Sequence, residues 1–380
     1  MKKSFSIAIF TSTYFPLIGG AQVAIREVCK LNQGIQFTLF CPRLNRKHPK
    51  KDRLDNVTVI RIGLGTQYDK YIFPLMAPIK VFFSSLKPDI VWGVMASQGS
   101  LGGLWYSKLI RKPFLLSLQE GSSVKELRKL IGFSYKIMGY IIRRASHVHA
   151  ISRFVVEMAV ELSKTAQFPH SIIPNGVNLS IFSPDKPIAR HIVTAYKIES
   201  SERILFSASR LSYKNAIDDL LKAMKLLPDN YRLFLAGTGP KERELKTYCN
   251  ENGLNERVQF LGDIAQEMVA EHLTIAHLFV RPSLREGLGN SFLEAMGMGV
   301  PIVACLVGGI KDYLVHGETG IAVEPKNPDS IAQGILAYED TKLYEKIRGN
   351  GTRLVREKYT WDVVARSMGK IFREEGQGRG

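Results

Sequence analysis

The sequence predicts an α/β chain built as two doubly wound, parallel-sheet domains. Three observations lead there. The chain has 380 residues, more than one hydrophobic core organises. Short β-rich apolar runs alternate with helix-like segments at spacings of about 20–30 residues, the rhythm of βα units. Runs such as ILFSAS and LFLAG are apolar throughout, as strands covered on both faces are.

Taken in order, the first half predicts strands at Ser4–Thr11, Ile35–Cys41, Val57–Ile62, Ile90–Val94, Phe114–Leu118 and His147–Ile151. The opening MKKSFSIAIFTSTYF is read as the first of these. Its apolar core is too short for a signal peptide, and Thr11, Ser12 and Thr13 follow at once. The second half predicts strands at Ile204–Ser209, Arg232–Ala236, Val258–Leu261, Leu278–Arg281, Pro301–Ala304 and Ile321–Val323. Pro169, Pro174, Gly176, Pro184 and Pro187 mark the joint. The expected organisation is therefore a domain over 1–175, a linker over 176–200 and a second domain over 201–358. A final amphipathic helix within 359–380 is expected to cross back to the first domain. Ligands of open parallel sheets bind outside the carboxyl ends of strands, so two such sheets facing one another predict a cleft.

Composition is that of a water-exposed globular chain, 45% hydrophobic and 23% charged. No apolar run reaches the roughly 18 residues of a membrane span. Cys29, Cys41, Cys249 and Cys305 form no CxxC pair and lie beside no histidine cluster. They read as core thiols of a reducing compartment, not a disulfide frame or a zinc site. Charge is uneven. Residues 1–184 hold 25 Lys+Arg against 9 Asp+Glu, a net +16, and the remainder carries +1. The first half is thus expected to meet a polyanion or an anionic surface.

Four stretches carry candidate chemistry. REGLGNSFLEAMGMG, residues 285–299, sets Glu286 and Glu294 eight positions apart across a glycine-rich turn. The turn follows the strand LFVRP and runs into a helix starting near Asn290–Ser291. Ser291 and Glu294 have capping-box spacing. The same turn can also grip a ligand, because glycines admit close backbone approach and a helix N-terminus favours a phosphate. SASRLSYKN, residues 207–215, places Arg210 and Lys214 just past a strand, suited to one anionic group. PLIGGAQVAIREV, residues 16–28, turns at Gly19–Gly20 into a helix but lacks both G-x-G-x-x-G and the Walker lysine. LAGTGPKE, residues 235–242, offers G-x-G without a third glycine, which argues against a dehydrogenase. No Gly-x-Ser-x-Gly, His-Glu-x-x-His or Asp-x-Asp is present, and His147, His149, His272, His277 and His316 are scattered, as packed or surface histidines are.

Together these stretches resemble the retaining glycosyltransferases of family 4, with the two-domain GT-B fold, over nearly the whole chain. IIPNGVNLSIFSP (172–184) is similar to the family's interdomain segment. LAGTGPKERELKTYCNENGLNERVQFLGDI (235–264) resembles its nucleotide-binding strand–helix–strand run, and EGLGNSFLEAMGMGVPIVACLVGGIKDYLVHGETGIAVEP (286–325) resembles the family pattern in order and spacing. The resemblance implies that Glu286 and Glu294 fill the E-x7-E positions, the first on donor-sugar hydroxyls and the second on the ribose. Arg210 and Lys214 would hold the diphosphate, which Gly19 and Gly20 would let backbone approach. Backbone at Gly287, Leu288, Gly289, Asn290 and Ser291 would meet sugar and phosphate. Gly262, Asp263 and Ile264 would lie against the base. Many relatives carry a histidine after the strand matching Phe114–Leu118, where this chain has Gln119 and Glu120. Gln119 can hydrogen-bond but cannot act as an acid or base, and Glu120 is a candidate substitute.

The implied activity is retaining transfer of a hexosyl or N-acetylhexosaminyl unit from a UDP- or GDP-type sugar. Neither metal nor cofactor is expected, since cationic side chains and amides would neutralise the diphosphate. Two first-half stretches mix cations with apolar residues, YIFPLMAPIKVFFSSLK (71–87) and VKELRKLIGFSYKIMGYIIRR (124–144). They suit a glycan or lipid-linked acceptor presented at an anionic membrane surface, hence a cytoplasmic protein peripheral to the inner membrane face. Nucleic acid is not expected as a partner, because stacking aromatics at RRM- or OB-like positions are missing. A catalytically silent nucleotide-sugar-binding subunit is the rival reading. Donor turnover separates it from the enzyme.

Overall fold

A computed structural model describes residues 5–17, 19–84 and 86–377, excluding the side chain of Phe133. The chain forms two compact units. One holds residues 1–176 with 361–380, the other residues 177–360. Residues 177–200, expected as a linker, belong to the second unit, where Arg190–Ala195 is a short helix.

The first unit is built on an eight-stranded sheet. Its strands are β1 (Ser6–Phe10), β2 (Gln36–Pro42), β3 (Lys51–Leu54), β4 (Val57–Ile62), β5 (Ile90–Val94), β6 (Phe114–Leu118), β7 (His147–Ala150) and β8 (His170–Ile172), in the order β3-β4-β2-β1-β5-β6-β7-β8. All pairs are parallel except β3 with β4, joined across Asp55–Asn56. Sequence reading misses β3 because three of its four residues, Lys51, Asp52 and Arg53, are charged, as suits a protected edge. It misses β8, which has three residues and lies at the opposite edge. Strand order reverses at β1, with Ile7 opposite Phe37 on one side and Ile90 on the other. Gly19 and Gly20 lie beyond β1, Met95 to Gln98 beyond β5, and Gln119 and Glu120 beyond β6.

The core of this unit draws on both ends of the chain. The helix Trp361–Gln377 buries Trp361, Val364, Met368, Ile371 and Phe372. The Phe372 ring stands 5.1 Å from Trp92 and 6.2 Å from Phe37, edge-on to both. The helix is anchored where Asn32 Nδ2 donates to the Ala365 carbonyl at 3.0 Å. A polar thread also runs through this core. Trp92 Nε1 donates to Ser117 Oγ at 2.8 Å, Ser117 Oγ meets His149 Nδ1 at 2.8 Å, and His149 Nε2 meets the Ile173 carbonyl at 2.7 Å. Burial pushes the His149 pKa down to about 4, so this ring is neutral and structural.

The second unit holds a six-stranded, wholly parallel sheet. Its strands are β9 (Arg203–Ala208), β10 (Tyr231–Ala236), β11 (Val258–Gly262), β12 (Leu278–Arg281), β13 (Ile302–Cys305) and β14 (Ile321–Val323), ordered β11-β10-β9-β12-β13-β14. Order reverses at β9, which pairs with β10 on one side and β12 on the other. The carboxyl ends of β9, β10 and β12 thus form the switch point where open α/β sheets take ligands. All four cysteines, two in each unit, are buried thiols without a disulfide.

Because the C-terminal helix completes the first core, Phe372→Ala should destabilise that unit by about 3–5 kcal/mol. Denaturant titration followed by hydrogen exchange should show first-unit amides losing protection while second-unit amides keep theirs.

Candidate functional site

The site grows from a charged residue at the end of an apolar strand. Arg281 closes β12 and is 4% exposed. Its guanidinium donates from Nε to Ser283 Oγ at 3.0 Å and from Nη1 to the Ala208 carbonyl at 2.8 Å and Ser291 Oγ at 2.7 Å. Nη2 donates to Glu286 Oε1 at 2.7 Å, and the group lies 4.4 Å from the Phe292 ring centroid. A buried guanidinium needs this many partners, and its planar fork distributes them. Ser283 Oγ adds a bond to the same Glu286 oxygen at 3.2 Å. Among the described residues Glu286 Oε2 makes no hydrogen bond. The carboxylate is thus charge-compensated at one oxygen and available at the other.

Backbone contacts hold the Glu286 loop from behind. Gly309 N donates to the Glu286 carbonyl at 3.0 Å. Gly308 has φ +53° and lies so close that a Cβ there would sit 1.9 Å from the Glu286 carbonyl oxygen. Only glycine fits. The Tyr313 hydroxyl donates to the Leu288 carbonyl at 2.9 Å.

The Arg210–Lys214 loop is fastened to the same assembly. Leu284 N donates to the Lys214 carbonyl at 2.7 Å, and Asn215 Nδ2 donates to the Arg210 carbonyl at 2.6 Å. Both side chains are exposed, and among the described residues neither has a salt-bridge partner. Arg210 lines a depression of about 460 Å³ with Asp263 and Ile264, beside the ends of β9 and β10. The structure therefore brings together Arg210, Asp263 and Ile264, and ties Lys214 to the Glu286 loop. The LAGTGP glycines gain a structural reason as well. A Cβ on Gly237 would meet the Ser209 carbonyl at 2.0 Å, and one on Gly239 the Leu211 carbonyl at 2.2 Å. They let two backbones touch behind the basic loop.

One expectation is corrected. Ser291 and Glu294 do not form a capping box. The helix is Asn290–Gly297, and its N-cap is Gly289 at φ +84°, without a side-chain cap bond. Ser291 lies inside the helix, and its hydroxyl accepts from Arg281. Glu294 instead accepts from Gln266 Nε2 at 3.3 Å. Burial pushes its pKa up to about 7, against the lowering pull of Gln266 and Arg281. Gly287, Leu288, Gly289 and Asn290 fill the turn between the two carboxylates. Gly262, at φ +72°, accepts through its carbonyl from Gly237 N.

The remaining candidates stand on the first unit. Gly19 and Gly20 open the helix Gly20–Leu31. Gly19 is extended, and a Cβ on it would meet only the movable end of Gln22. A Cβ on Gly20 would meet nothing within 4 Å. Local packing therefore gives no reason for either glycine. Gln119 Oε1 accepts from Asn175 Nδ2 at 3.3 Å. Glu120 Oε1 accepts from the Gly121 and Ser122 amides, both at 2.9 Å. Glu120 also lines a cavity of about 530 Å³ with Ser97, Gln98, Met95, Leu127 and Met138. Sequence reasoning missed Arg281, Ser283, Asn215 and Gly308. The visible signal was an arginine ending the otherwise apolar run LFV.

Two outcomes follow from this geometry. Arg281→Met should cost about 3–5 kcal/mol by stranding the Glu286 charge, and adding Glu286→Gln should restore part of that loss in a double-mutant cycle of melting temperatures. Glu294 has its folded pKa raised, so stability it contributes when protonated is lost as pH rises through about 7. Ligand-free Glu294→Gln should therefore melt above wild type at pH 8, with the gap closing below the ordinary carboxylate range.

Comparison with known proteins bears on the family and the fold. The model of glycosyl transferases group 1 matches residues 190–354, and that of glycosyltransferase family 4 matches residues 18–181. An uncharacterised glycosyltransferase of Methanocaldococcus jannaschii is 30% identical over 60% of this chain and 59% of its own length. The N-acetyl-alpha-D-glucosaminyl L-malate synthase of Bacillus anthracis is 29% identical over 95% of both chains. In fold, the chain superposes on Anabaena HepE, solved in complex with UDP, with a TM-score of 0.81 at 19% identity, covering 97% of this chain and all of that one. Between them the two family models take in nearly the whole chain, and it belongs to the group 1, family 4 glycosyltransferases of GT-B fold.

Proposed function

We propose that this glycosyltransferase is a retaining, metal-independent enzyme. It would move a hexosyl or N-acetylhexosaminyl unit from a UDP- or GDP-type sugar to a hydroxyl of a glycan or lipid-linked acceptor in cell-envelope polysaccharide or glycolipid synthesis. One observation carries the reading. Glu286 is compensated by Arg281 at one oxygen and open at the other, on a loop stapled to the exposed cations Arg210 and Lys214. A sugar diphosphate asks for that pairing, with a hydroxyl acceptor beside unpaired positive charge.

In this reading Arg210 and Lys214 bind the diphosphate and offset the charge that grows as it leaves. Glu286 orients the sugar hydroxyls and Glu294 the ribose. Backbone at Gly287 to Ser291 meets sugar and phosphate, and Gly262, Asp263 and Ile264 border the base. Gly19 and Gly20, unexplained by packing, leave backbone open to the phosphates. The acceptor oxygen bonds to the anomeric carbon on the face the diphosphate leaves, and the departing phosphate oxygen takes the proton. Gln119 hydrogen-bonds a sugar hydroxyl or the leaving oxygen, and Glu120 holds an acceptor hydroxyl. The Bacillus anthracis relative supports an N-acetylhexosaminyl donor, since its name specifies such a unit. UDP in HepE supports the nucleotide class. The net +16 of the first half supports an anionic acceptor or a peripheral place on the cytoplasmic membrane face. Among the described residues no helix is long and apolar enough to cross a membrane.

Thermal shifts with UDP-, GDP-, ADP- and dTDP-sugars test the donor assignment. One class should stabilise the protein, and Arg210→Ala and Lys214→Ala should each abolish both that shift and transfer while leaving the unliganded melt unchanged. Wild-type turnover in either variant would overturn the diphosphate assignment.

A further inference from the structure

The helix Asp69–Phe82 is apolar on two opposite faces. Its inner face buries Phe73, Pro74, Ala77, Pro78 and Val81. The helix Gln98–Ile110 packs there so closely that a Cβ on Gly102 would sit 3.2 Å from Pro74. The opposite face carries Tyr71, Leu75, Ile79 and Phe82 at helical spacing, continued by Phe83. Leu75, Ile79 and Phe83 are 61%, 60% and 82% exposed. An outward row of this length is unlike the isolated apolar residues scattered on ordinary surfaces.

The exposed charge on this helix and on Val124–Ile131 is of one sign, and Glu120, the acid lining the cavity between them, is bonded to the Gly121 and Ser122 amides. Lys70, Lys80 and Lys87 are exposed along the row. Across the 530 Å³ cavity, which Tyr71 also lines, the helix Val124–Ile131 presents Arg128, Lys129 and Leu130 outward, Leu130 at 73% exposure. The acids of these two helices are engaged locally. Asp69 is buried and accepts from the Gly65 amide at 2.7 Å. Glu126 closes a capping box, accepting from Ser123 N at 3.1 Å. A protein partner would have to supply both an apolar groove and an acidic rim. An anionic bilayer supplies both at once, acyl chains beneath phosphate headgroups.

We infer that the outward face of Asp69–Phe82 is a membrane-docking surface. The 14-residue helix, roughly 21 Å long, lies in the plane of an anionic bilayer with Leu75, Ile79 and Phe83 at the acyl boundary. Lys70, Lys80, Lys87, Arg128 and Lys129 meet the headgroups. The inference deepens the proposed membrane-proximal acceptor. A headgroup held there would lie beside the cavity that Glu120 lines.

Flotation of the full chain with vesicles tests it without any glycosyl transfer. The wild type should float with phosphatidylcholine vesicles containing about one-third phosphatidylglycerol, at least about tenfold better than with phosphatidylcholine alone. Leu75→Glu with Ile79→Glu should abolish flotation at an unchanged melting temperature. Lys80→Gln with Lys87→Gln should weaken it and lower its salt sensitivity. Equal recovery with neutral vesicles, no recovery at all, or wild-type flotation of the Leu75/Ile79 variant would each overturn the inference. So would a wild-type dimer that the Leu75/Ile79 variant dissolves and that does not float, since a second copy would then cover the row. Donor-induced stabilisation, measured separately, reports the catalytic reading whatever the vesicles show.

Discussion

The second unit depends on a single buried cation. Arg281 stands where a strand end would otherwise be apolar, and four groups from a neighbouring strand end, the loop after β12 and the helix beyond it converge on it. Its bond to the Ala208 carbonyl ties the end of β9, its bonds to Ser283 and Glu286 shape the following turn, and its bond to Ser291 orients the helix beyond. Desolvating a guanidinium is costly, so the pair with Glu286 contributes less net stability than its geometry suggests. What it supplies is position. Glu286 cannot turn away without leaving that charge uncompensated, and the turn that follows inherits the constraint.

Electrostatic order recurs in a different form on the basic loop. Arg210 and Lys214 are held through their backbones, by Asn215 and by Leu284, while the side chains remain in solvent. Rigid backbone with unpaired charge suits the anion proposed for this loop, because little reorganisation would be needed on its arrival. Glu294 shows the opposite economy. Its carboxyl is desolvated ahead of any ligand, and burial rather than a partner sets its proton affinity.

Much of this was legible in the chain itself. Most strand positions followed from apolar runs, because parallel strands covered on both faces leave a continuous signal. The charged edge strand Lys51–Leu54 left none. The motif residues around Arg210, Glu286 and Gly262 were visible as strand-end turns, since function in α/β folds sits there. Arg281 stood out in the same stretch as a charge ending the apolar run LFV, but that anomaly marked the residue and not its partners. Its partners Ala208, Ser283, Glu286 and Ser291 are brought together by sheet order, which spacing along one strand does not encode. The capping-box spacing misled for a related reason. Gly289 takes the left-handed cap, so Ser291 lies within the helix and its hydroxyl serves a buried arginine instead of the helix's own amides. The stretch 71–87 was visible as an apolar run flanked by lysines, but the outward row of Asp69–Phe82 was not, because both faces of that helix are apolar and only packing tells which one is covered.

The return of Trp361–Gln377 to the first core has a consequence for how the gene can be cut. Val177 pairs with Thr360, and Val177 N donates to the Tyr359 carbonyl. One residue earlier, Gly176 is packed against the backbone of Trp361. The second unit is therefore an insertion whose two ends leave the first unit side by side. Residues 177–360 can be lifted out as one contiguous segment, and the gap between 176 and 361 is short enough for a linker of a few residues to reseal the host. A truncation after residue 176 has no such symmetry. It removes a helix the first core contains, so the economical minimal form of that unit is a spliced chain rather than a shortened one.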